Sequence, residues 1–210
     1  ILAENQFNRI KRSVNGGLSW SADTTGLFGS AAWVAPIISH PDSAGIFYTA
    51  RQQLFKSIDY GDNWFPYSTG TTGAIRELSI SGSDPEKIYA VTGISLYLST
   101  NGGITFFNRA AGLPNRVITG VCIHPDSSNV SLVSLSGFGG GHIFKTTNSG
   151  LSWFDVSGNL PDIPANDVLI YYPGHSTPIV LAATDIGVFV SSDFGITWPE
   201  LAAGLPNTVS

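Results

Sequence analysis

Three features of the sequence predict an all-β fold of repeated four-stranded antiparallel sheets. A short motif recurs five times, its spacing lies in the forties, and the segments between its copies alternate apolar and polar residues with Gly, Asn and Asp at the turns. Repeats of this length made of short strands are typical of a β-propeller, in which each repeat forms one blade. The sequence therefore predicts a propeller with four full blades and a partial one.

The recurring motif is an eight-residue segment that ends in an aromatic residue. Its copies are SVNGGLSW (13–20), SIDYGDNW (57–64), STNGGITF (99–106), TTNSGLSW (146–153) and SSDFGITW (191–198). The closing aromatic residues are separated by 44, 42, 47 and 45 residues. We predict one propeller domain over 1–210, with blades at about 1–30 (partial), 31–72, 73–114, 115–160 and 161–206.

Each repeat contains four candidate strands. In the second repeat the apolar segment 33–41, opened by Trp33, is predicted as the innermost strand, and 46–51, 53–59 and 64–68 follow it. Enrichment in β-branched and aromatic residues favours strands, and no segment shows the 3.6-residue apolar period of a helix.

The motif predicts a tight hairpin turn rather than a catalytic or metal site. Its glycine suits a positive φ, and the Asn or Asp two residues earlier can accept hydrogen bonds from the backbone of the loop. The closing aromatic can pack between neighbouring sheets. Asn stands at three of the five Asn/Asp positions and cannot act as a general base. The residues given this structural role are Asn15, Gly17, Trp20, Asp59, Gly61, Trp64, Asn101, Gly103, Phe106, Asn148, Gly150, Trp153, Asp193, Gly195 and Trp198.

Composition argues against several classes of function. The chain has 10 Lys and Arg against 15 Asp and Glu, and its basic residues are scattered singly, so nucleic acid is not an expected partner. The single cysteine, Cys122, and the lack of a Cys/His cluster predict no internal disulfide, no metal and no other cofactor. No apolar run approaches the roughly 20 residues of a membrane span.

The five motif copies resemble the Asp-box, or BNR, repeat with the pattern S-x-D-x-G-x-T-W. The resemblance covers nearly the whole chain and implies a β-propeller. The repeat occurs in sialidases, xyloglucan-hydrolysing glycosidases, sortilin-type receptor domains and photosystem II assembly propellers, as well as in secreted or surface proteins of bacteria. The segment GVFVSSDFGITW (187–198) most resembles the last group, which implies an extracellular or cell-surface location.

The chain does not carry a catalytic set that these families imply. A sialidase has its first arginine in an F/Y-R-I-P motif, and FNRIKRS (7–13) matches at Arg9 but has Lys11 in place of Pro. A glycosidase needs two carboxylates about 5–10 Å apart, for which Glu77 and Asp167 on innermost strands are the candidates. A photosystem assembly factor is expected to carry an arginine patch, against which the sparse arginine content argues.

Residues outside the motif are candidates for a ligand-binding face. Gly139 and His142 belong to the glycine cluster GFGGGH (137–142), a loop between two strands that can shape a binding surface. Trp33 and Tyr171 are aromatic residues on innermost strands that can stack on a sugar ring. Glu77 and Asp167 complete this predicted face.

The sequence therefore predicts a non-catalytic interaction or scaffold propeller of a secreted or cell-surface bacterial protein. Its expected partners are a protein, a glycan, or further blades of a larger chain. The alternative is a fragment of a BNR-repeat glycoside hydrolase, either xyloglucanase-like or sialidase-like. The segment GLPNTVS (204–210) leaves two arrangements open, closure with the first blade or a larger propeller of about six to eight blades, and we expect the second.

Overall fold

The computed structural model describes residues 1–22, 25–68, 70–172 and 177–201. In these ranges the chain forms 18 β-strands and no helix. The strands make five antiparallel sheets in chain order, and strands adjacent in sequence are adjacent in each sheet. This all-β architecture agrees with the predicted fold class. The segment 204–210 lies outside the described residues.

The bounds of the strands follow the five repeats. Sheet 1 contains β1 (Leu2–Asn5), β2 (Arg9–Arg12) and β3 (Ser21–Ala22); sheet 2 contains β4 (Ile37–Ser39), β5 (Phe47–Ala50), β6 (Leu54–Ser57) and β7 (Phe65–Pro66); sheet 3 contains β8 (Glu77–Ile80), β9 (Ile88–Thr92), β10 (Ser95–Ser99) and β11 (Phe107–Asn108); sheet 4 contains β12 (Ile118–His124), β13 (Ser127–Leu135), β14 (Ile143–Thr146) and β15 (Phe154–Asp155); sheet 5 contains β16 (Ala165–Tyr171), β17 (Ile179–Thr184) and β18 (Gly187–Ser191).

The outermost strand of sheet 5 is reduced to a single bridge between Phe189 and Glu200. Pro199, next to Glu200, has no N–H to donate, although its carbonyl accepts the N–H of Val190 at 2.9 Å. The proline therefore explains why the fourth strand of this repeat is so short.

The innermost strand of sheet 2 is shorter than the predicted segment 33–41. Only Ile37–Ser39 form β4, so the prediction that Trp33 opens this strand is wrong. Pro36 explains the difference, because it cannot donate to a ladder and restricts the residue before it. Its carbonyl instead accepts the hydroxyl of Thr49 at 2.9 Å. Trp33 thus lies in the connection that leads to sheet 2.

The chain divides into two compact units. Unit 1 consists of Ile1–Thr92 and Tyr97–Asn108, and unit 2 consists of Gly93–Leu96 and Arg109–Ser210. Each unit has its own apolar core, and full burial of a large aliphatic or aromatic side chain stabilises by about 1.5–3 kcal/mol.

Successive sheets within each unit pack in the same way through one strand. This is the strand that leads into the motif, called the leading strand: β2, β6, β10, β14 or β18. An aliphatic residue on this strand shares a buried cluster with an aromatic residue on the leading strand of the next sheet. The pairs are Ile10 with Phe55, Leu54 with Tyr97, and Ile143 with Phe189. Side chains alternate along a strand, so sheets 2 to 5 each have an aliphatic residue on one face and an aromatic residue on the other, whereas sheet 1 has Lys11 in place of the aromatic.

Sheets 4 and 5 also meet through their innermost strands. The N–H of Ile170 points at the Sγ of Cys122 at 3.3 Å, and the hydroxyl of Thr119 donates to the carbonyl of Ala165 at 2.7 Å. Gly120 permits this approach, because a Cβ at this position would collide with the carboxylate of Asp167. The two strands therefore pack with little space between their backbones.

The five motif turns share one hydrogen-bond pattern. The hydroxyl that opens each motif accepts the N–H of the motif glycine at 2.7–2.9 Å. The Asn or Asp accepts the N–H of the residue four positions later at 2.9–3.0 Å. The motif glycines have φ between 76° and 100°, in the region that side chains disfavour. The turn is therefore closed by its own side chains.

In four of the five turns the partner of the Asn or Asp side chain is a hydroxyl, which can donate or accept, and in the turn at 57–64 it is the amide of Asn63, which donates to Asp59 Oδ2 at 2.9 Å. Asn101 donates its amide to Thr105 Oγ1 at 2.9 Å, whereas Asp193 accepts the hydroxyl of Thr197 at 2.6 Å. The backbone N–H of Asn63 is the main cause that lowers the pKa of Asp59 to about 2. These carboxylates remain ionised at neutral pH and act as hydrogen-bond acceptors.

The closing aromatic residues differ in burial at the two ends of the chain. Trp198 is 1% exposed, and its Nε1 donates to the carbonyl of Val156 at 3.0 Å. Trp153 is also buried and donates to the carbonyl of Arg109 at 2.8 Å. Trp20, in sheet 1, is 43% exposed. The motif therefore buries its aromatic where that ring packs on the preceding repeat.

Candidate ligand-binding site

Each sheet has a motif turn at one end and irregular loops at the other. We call the second end the crossover end, because it carries the connection to the next sheet together with the turn before the motif-leading strand. In sheet 1 this turn is 6–8, and in sheet 4 it is 136–142. Loops of this kind vary without disturbing the frame and commonly carry binding sites.

In unit 1, Phe7, Trp33 and Val34 form an exposed apolar cluster that we call the aromatic corner. The rings of Phe7 and Trp33 meet edge to face, with centroids 4.9 Å apart and planes at 80°. Phe7 is 48% exposed and Trp33 is 58% exposed. The N–H of Phe7 donates to the carbonyl of Trp33 at 2.9 Å, which fixes the two segments together. The corner thus offers ring faces to a ligand without further rearrangement.

The turn that carries Phe7 is strained and firmly held. Phe7 and Asn8 have φ of 63° and 56°, a left-handed conformation that costs about 1–2 kcal/mol per residue. Asn8 is fully buried; its Nδ2 donates to the carbonyl of Ala50 at 2.8 Å, and its Oδ1 lies 3.2 Å from the hydroxyl of Thr49, whose one proton it shares with the carbonyl of Pro36. Its N–H donates to Glu4 Oε1 at 2.9 Å. Strain of this kind persists only where the surroundings over-determine it.

Arg51 stabilises the backbone that carries the aromatic corner. Its guanidinium donates to the carbonyl of Asn8 at 3.2 Å and to the carbonyl of Gly29 at 3.1 Å. Burial lowers the pKa of Arg51, and its Nε has no hydrogen-bond partner among the described residues. The planar fork of arginine can hold two backbone carbonyls at once, which a lysine cannot do in the same geometry.

In unit 2, a polar cavity of about 510 Å³ lies at the crossover end of sheet 4. Its wall includes His142, which is 2% exposed and whose Nε2 lies 3.0 Å from Asp162 Oδ1. The N–H of Gly139 donates to the same oxygen at 2.8 Å and is the main cause that lowers the pKa of Asp162. Asp162 therefore ties the glycine-rich loop to the connection between sheets 4 and 5.

A second carboxylate, Asp155, lines the same cavity. Its Oδ1 accepts the backbone N–H of Ser157 at 2.9 Å and the hydroxyl of Ser157 at 2.6 Å. The Ser157 Oγ in turn accepts the N–H of His142 at 2.7 Å. Arg116 fixes the loop from its other side by donating to the carbonyls of Phe138 and Gly141. Hydrogen bonds with Arg116, Ser157 and Asp162 thus fix the loop that forms the cavity wall.

Both cavity carboxylates accept hydrogen bonds from their own loops, and those made to Asp162 favour its ionised form. A glycosidase acid must stay protonated near neutral pH, which requires a raised pKa. The pKa of Asp162 is lowered, and both Asp155 and Asp162 already accept hydrogen bonds from their own loops. Within the described residues no group of three or more His, Cys, Asp or Glu is arranged to hold a metal ion. Likewise, the described chain has no helix of the length and apolarity needed to cross a membrane.

The six residues of the predicted ligand face do not form one site. Gly139 and His142 meet at Asp162, and Trp33 belongs to the aromatic corner of unit 1. Glu77 is half-buried in β8, opposite Val91. Asp167 accepts the N–H of its neighbour Val168 at 2.8 Å, and Tyr171 is exposed at the end of the same strand.

Four residues of the two candidate sites are not predicted from the sequence. Phe7 and Asn8 precede the first motif and carry no signal, because a left-handed turn at two residues other than glycine has no sequence signature. Asp162 and Asp155 follow the fourth motif, in segments that the sequence marks only as loop and strand. The hydroxyl that opens each motif did carry a signal, since Ser or Thr stands there in all five copies.

No known family profile matches the chain. A xyloglucanase of Paenibacillus sp. is 26% identical over 219 residues, which cover 95% of this chain and 20% of that protein. Among solved structures, an ancestral GH74 enzyme aligns with a TM-score of 0.66 at 21% identity, covering 80% of this chain and 24% of the other. YCF48 bound to a D1 peptide aligns with a TM-score of 0.66 at 19% identity, covering 91% of this chain and 60% of the other.

These likenesses support the fold of a partial β-propeller. The chain spans about a fifth of the length of the xyloglucanase and about a quarter of the ancestral enzyme. One of the similar structures is named as an enzyme and the other is bound to a peptide, so a shared fold does not fix an activity.

Proposed function

We propose that this chain is a non-catalytic binding module whose ligand is held by the aromatic corner. The exposed rings of Phe7 and Trp33 carry this proposal, because Phe7 stands on a turn that is strained and tightly braced, and its ring and N–H fix it against Trp33. Both rings are exposed and so contribute little to the core, and the ring of Phe7 is held on a costly backbone conformation. Their rigid placement reduces the ordering cost of binding.

Of the two ligand classes that the sequence predicts, protein and glycan, we favour the glycan. An aromatic face offers apolar contact to the C–H face of a sugar ring. The polar chains of Asn5 and Gln6 are exposed beside Phe7 and can meet hydroxyl groups. The similarity to a xyloglucanase over 95% of the chain also favours a β-glucan ligand. A polypeptide is the second class, since one similar propeller is bound to a peptide.

The same proposal includes the repeat and the cellular location. We infer that the five motif turns are Asp boxes with a structural role, because their polar groups are used in closing the turn. A secreted or cell-surface location follows from the bacterial proteins that the motif resembles. We also propose that residues 1–210 form a single propeller domain and that this domain is part of a larger protein.

Binding and turnover can be separated in one experiment with soluble xyloglucan as the probe. We expect the chain to be retarded in affinity electrophoresis through xyloglucan while releasing no new reducing ends. Phe7→Ala should weaken retention at least about tenfold, because truncating an aromatic hot spot at a binding centre costs about 2 kcal/mol or more. Phe65→Ala is the matched control, since Phe65 is exposed to a similar degree on the outer strand β7.

Retention that is equal in Phe7→Ala and Phe65→Ala would place the ligand elsewhere and reject the aromatic corner. If neither xyloglucan nor other soluble β-glucans retard the chain, the glycan is the wrong class. Circular dichroism of both variants shows whether lost retention reflects lost folding.

The second candidate is a glycosidase, and the two carboxylates of the sheet 4 cavity are the observation in its favour. It predicts that reducing ends appear and that Asp155→Asn and Asp162→Asn both abolish them. Release of reducing ends that survives both substitutions would exclude this cavity as the source.

A further inference from the structure

Sheet 5 has one face that packs on sheet 4 and an opposite face that no other described sheet of unit 2 covers. Val168, Ile170 and Val180 are buried in the unit 2 core. On the opposite face, Leu169 is 51% exposed and Tyr171 is 53% exposed. A sheet with apolar residues on both faces is typical of sheets that are packed on both sides.

The strand register shows what this free face corresponds to. In sheet 4, Cys122 pairs with Leu132, and Ser134 pairs with Ile143. In sheet 5 the matching pairs are Leu169 with Leu181, and Ala183 with Val188. Leu132 and Ile143 are buried under sheet 5, in one cluster with Phe189. The free face therefore repeats, residue for residue, a surface that a following sheet covers elsewhere in the same unit.

The packing between leading strands also specifies the missing contact. Val188 holds the position of Ile10, Leu54 and Ile143, each of which is buried with an aromatic residue of the next sheet. Val188 lacks this aromatic partner in the described chain, and a cavity of about 200 Å³ lies beside it, lined by Leu169, Leu181 and Ala183. The cavity is at the place where an aromatic ring would enter.

We propose that the free face of sheet 5 binds a further antiparallel sheet of the same repeat type, which presents an aromatic residue to Val188. Sheet 1 of a second copy does not fit this description. Lys11 stands where the other leading strands have Phe55, Tyr97, Phe144 and Phe189, and Arg9 and Lys11 are exposed on that face. Burial of an unpaired lysine against aliphatic residues is costly, so the partner is a further repeat rather than a second copy of this chain.

The test uses the chain with its last five residues, 206–210, replaced by a second copy of 161–206, which keeps the repeat period. We expect the melting temperature to rise by several degrees, because added repeats stabilise through their interface with a neighbour. Amide exchange in β17 should slow at least about tenfold. Two matched controls should lose both gains: Phe189→Lys in the added copy, which copies Lys11, and Leu181→Lys in the original copy, which alters only the receiving face.

The proposal is overturned if the extended chain and both controls melt at the same temperature as the original chain, whether or not the added repeat folds. Light scattering of the original chain provides a separate check. We expect a monomer; a dimer that Leu181→Lys dissociates would show that a second copy occupies the face and would also overturn the proposal.

Discussion

The two ends of the sheets are built on opposite principles. At one end, five motif turns repeat the same hydrogen bonds with small changes between Asn and Asp. At the other, the turns before the motif-leading strands differ between sheets: sheet 1 carries a strained aromatic turn, and sheet 4 carries a glycine-rich loop over a polar cavity. The motif turns use their polar groups to close themselves, whereas the turn of sheet 1 presents the ring of Phe7 and the loop of sheet 4 lines a polar cavity. Repetition therefore marks the frame, and departure from repetition marks the candidate sites.

The largest effect expected from this comparison is the loss of a buried closing aromatic. Trp198→Ala should destabilise the chain by about 3–5 kcal/mol, because it empties a packed site and leaves the carbonyl of Val156 without its donor. Trp20→Ala is the matched control and should change stability by less than about 1 kcal/mol, since Trp20 is half-exposed. Urea unfolding followed by fluorescence measures both. Equal losses of unfolding free energy in the two variants would show that burial of the closing aromatic does not determine how much it stabilises the chain.

A motif glycine should tolerate a methyl group less well than a glycine at the crossover end. In Gly61→Ala the new Cβ would meet Leu2 Cδ2 at 2.6 Å, and φ is 84°. We expect a cost of about 2–4 kcal/mol from strain and overpacking together. Gly93→Ala has a similar φ of 78° but open space around its Cβ, so strain alone should cost about 1–2 kcal/mol. Denaturant midpoints that fall equally would contradict the close packing of the motif turn.

The smallest effect concerns pH. The pKa of Asp59 is lowered to about 2 in the folded chain, so its hydrogen bonds stabilise the fold above about pH 4 and are lost as the pH falls toward 2. Asp59→Asn should remove that part of the acid sensitivity and leave stability at pH 7 nearly unchanged, as the natural Asn in other motif turns implies. Denaturant midpoints between pH 2 and 5 test this. Identical slopes in the two proteins would mean that the carboxylate does not support the turn.

The five sheets and their motif turns were predictable from sequence because their signals are local and repeated. A glycine, a hydroxyl and an aromatic at fixed spacing specify the same turn wherever they occur. The aromatic corner was not predictable, because it depends on contacts between segments more than 40 residues apart, such as Asn8 Nδ2 with the carbonyl of Ala50. The apolar segment 33–41 predicts a strand that begins at Trp33, but Pro36 cannot donate to the ladder and the strand begins at Ile37.

The cavity in unit 2 shows an intermediate case. The glycine cluster at 137–142 marked a long loop, and His142 within it was a candidate. The sequence did not show that Asp162, 20 residues later, accepts from both Gly139 and His142. Pairings of this kind depend on how the connection to the next sheet returns past the loop.

The central claim, that ligand binding belongs to the crossover end, is tested most directly by two tryptophans that are both exposed. Trp33 is in the aromatic corner, and Trp20 closes a motif turn. Affinity for soluble xyloglucan is measured for Trp33→Ala and Trp20→Ala after both are shown to be folded. We predict at least about a tenfold loss for Trp33→Ala and no change for Trp20→Ala. A loss for Trp20→Ala with Trp33→Ala unaffected would contradict the claim and assign binding to the motif turns.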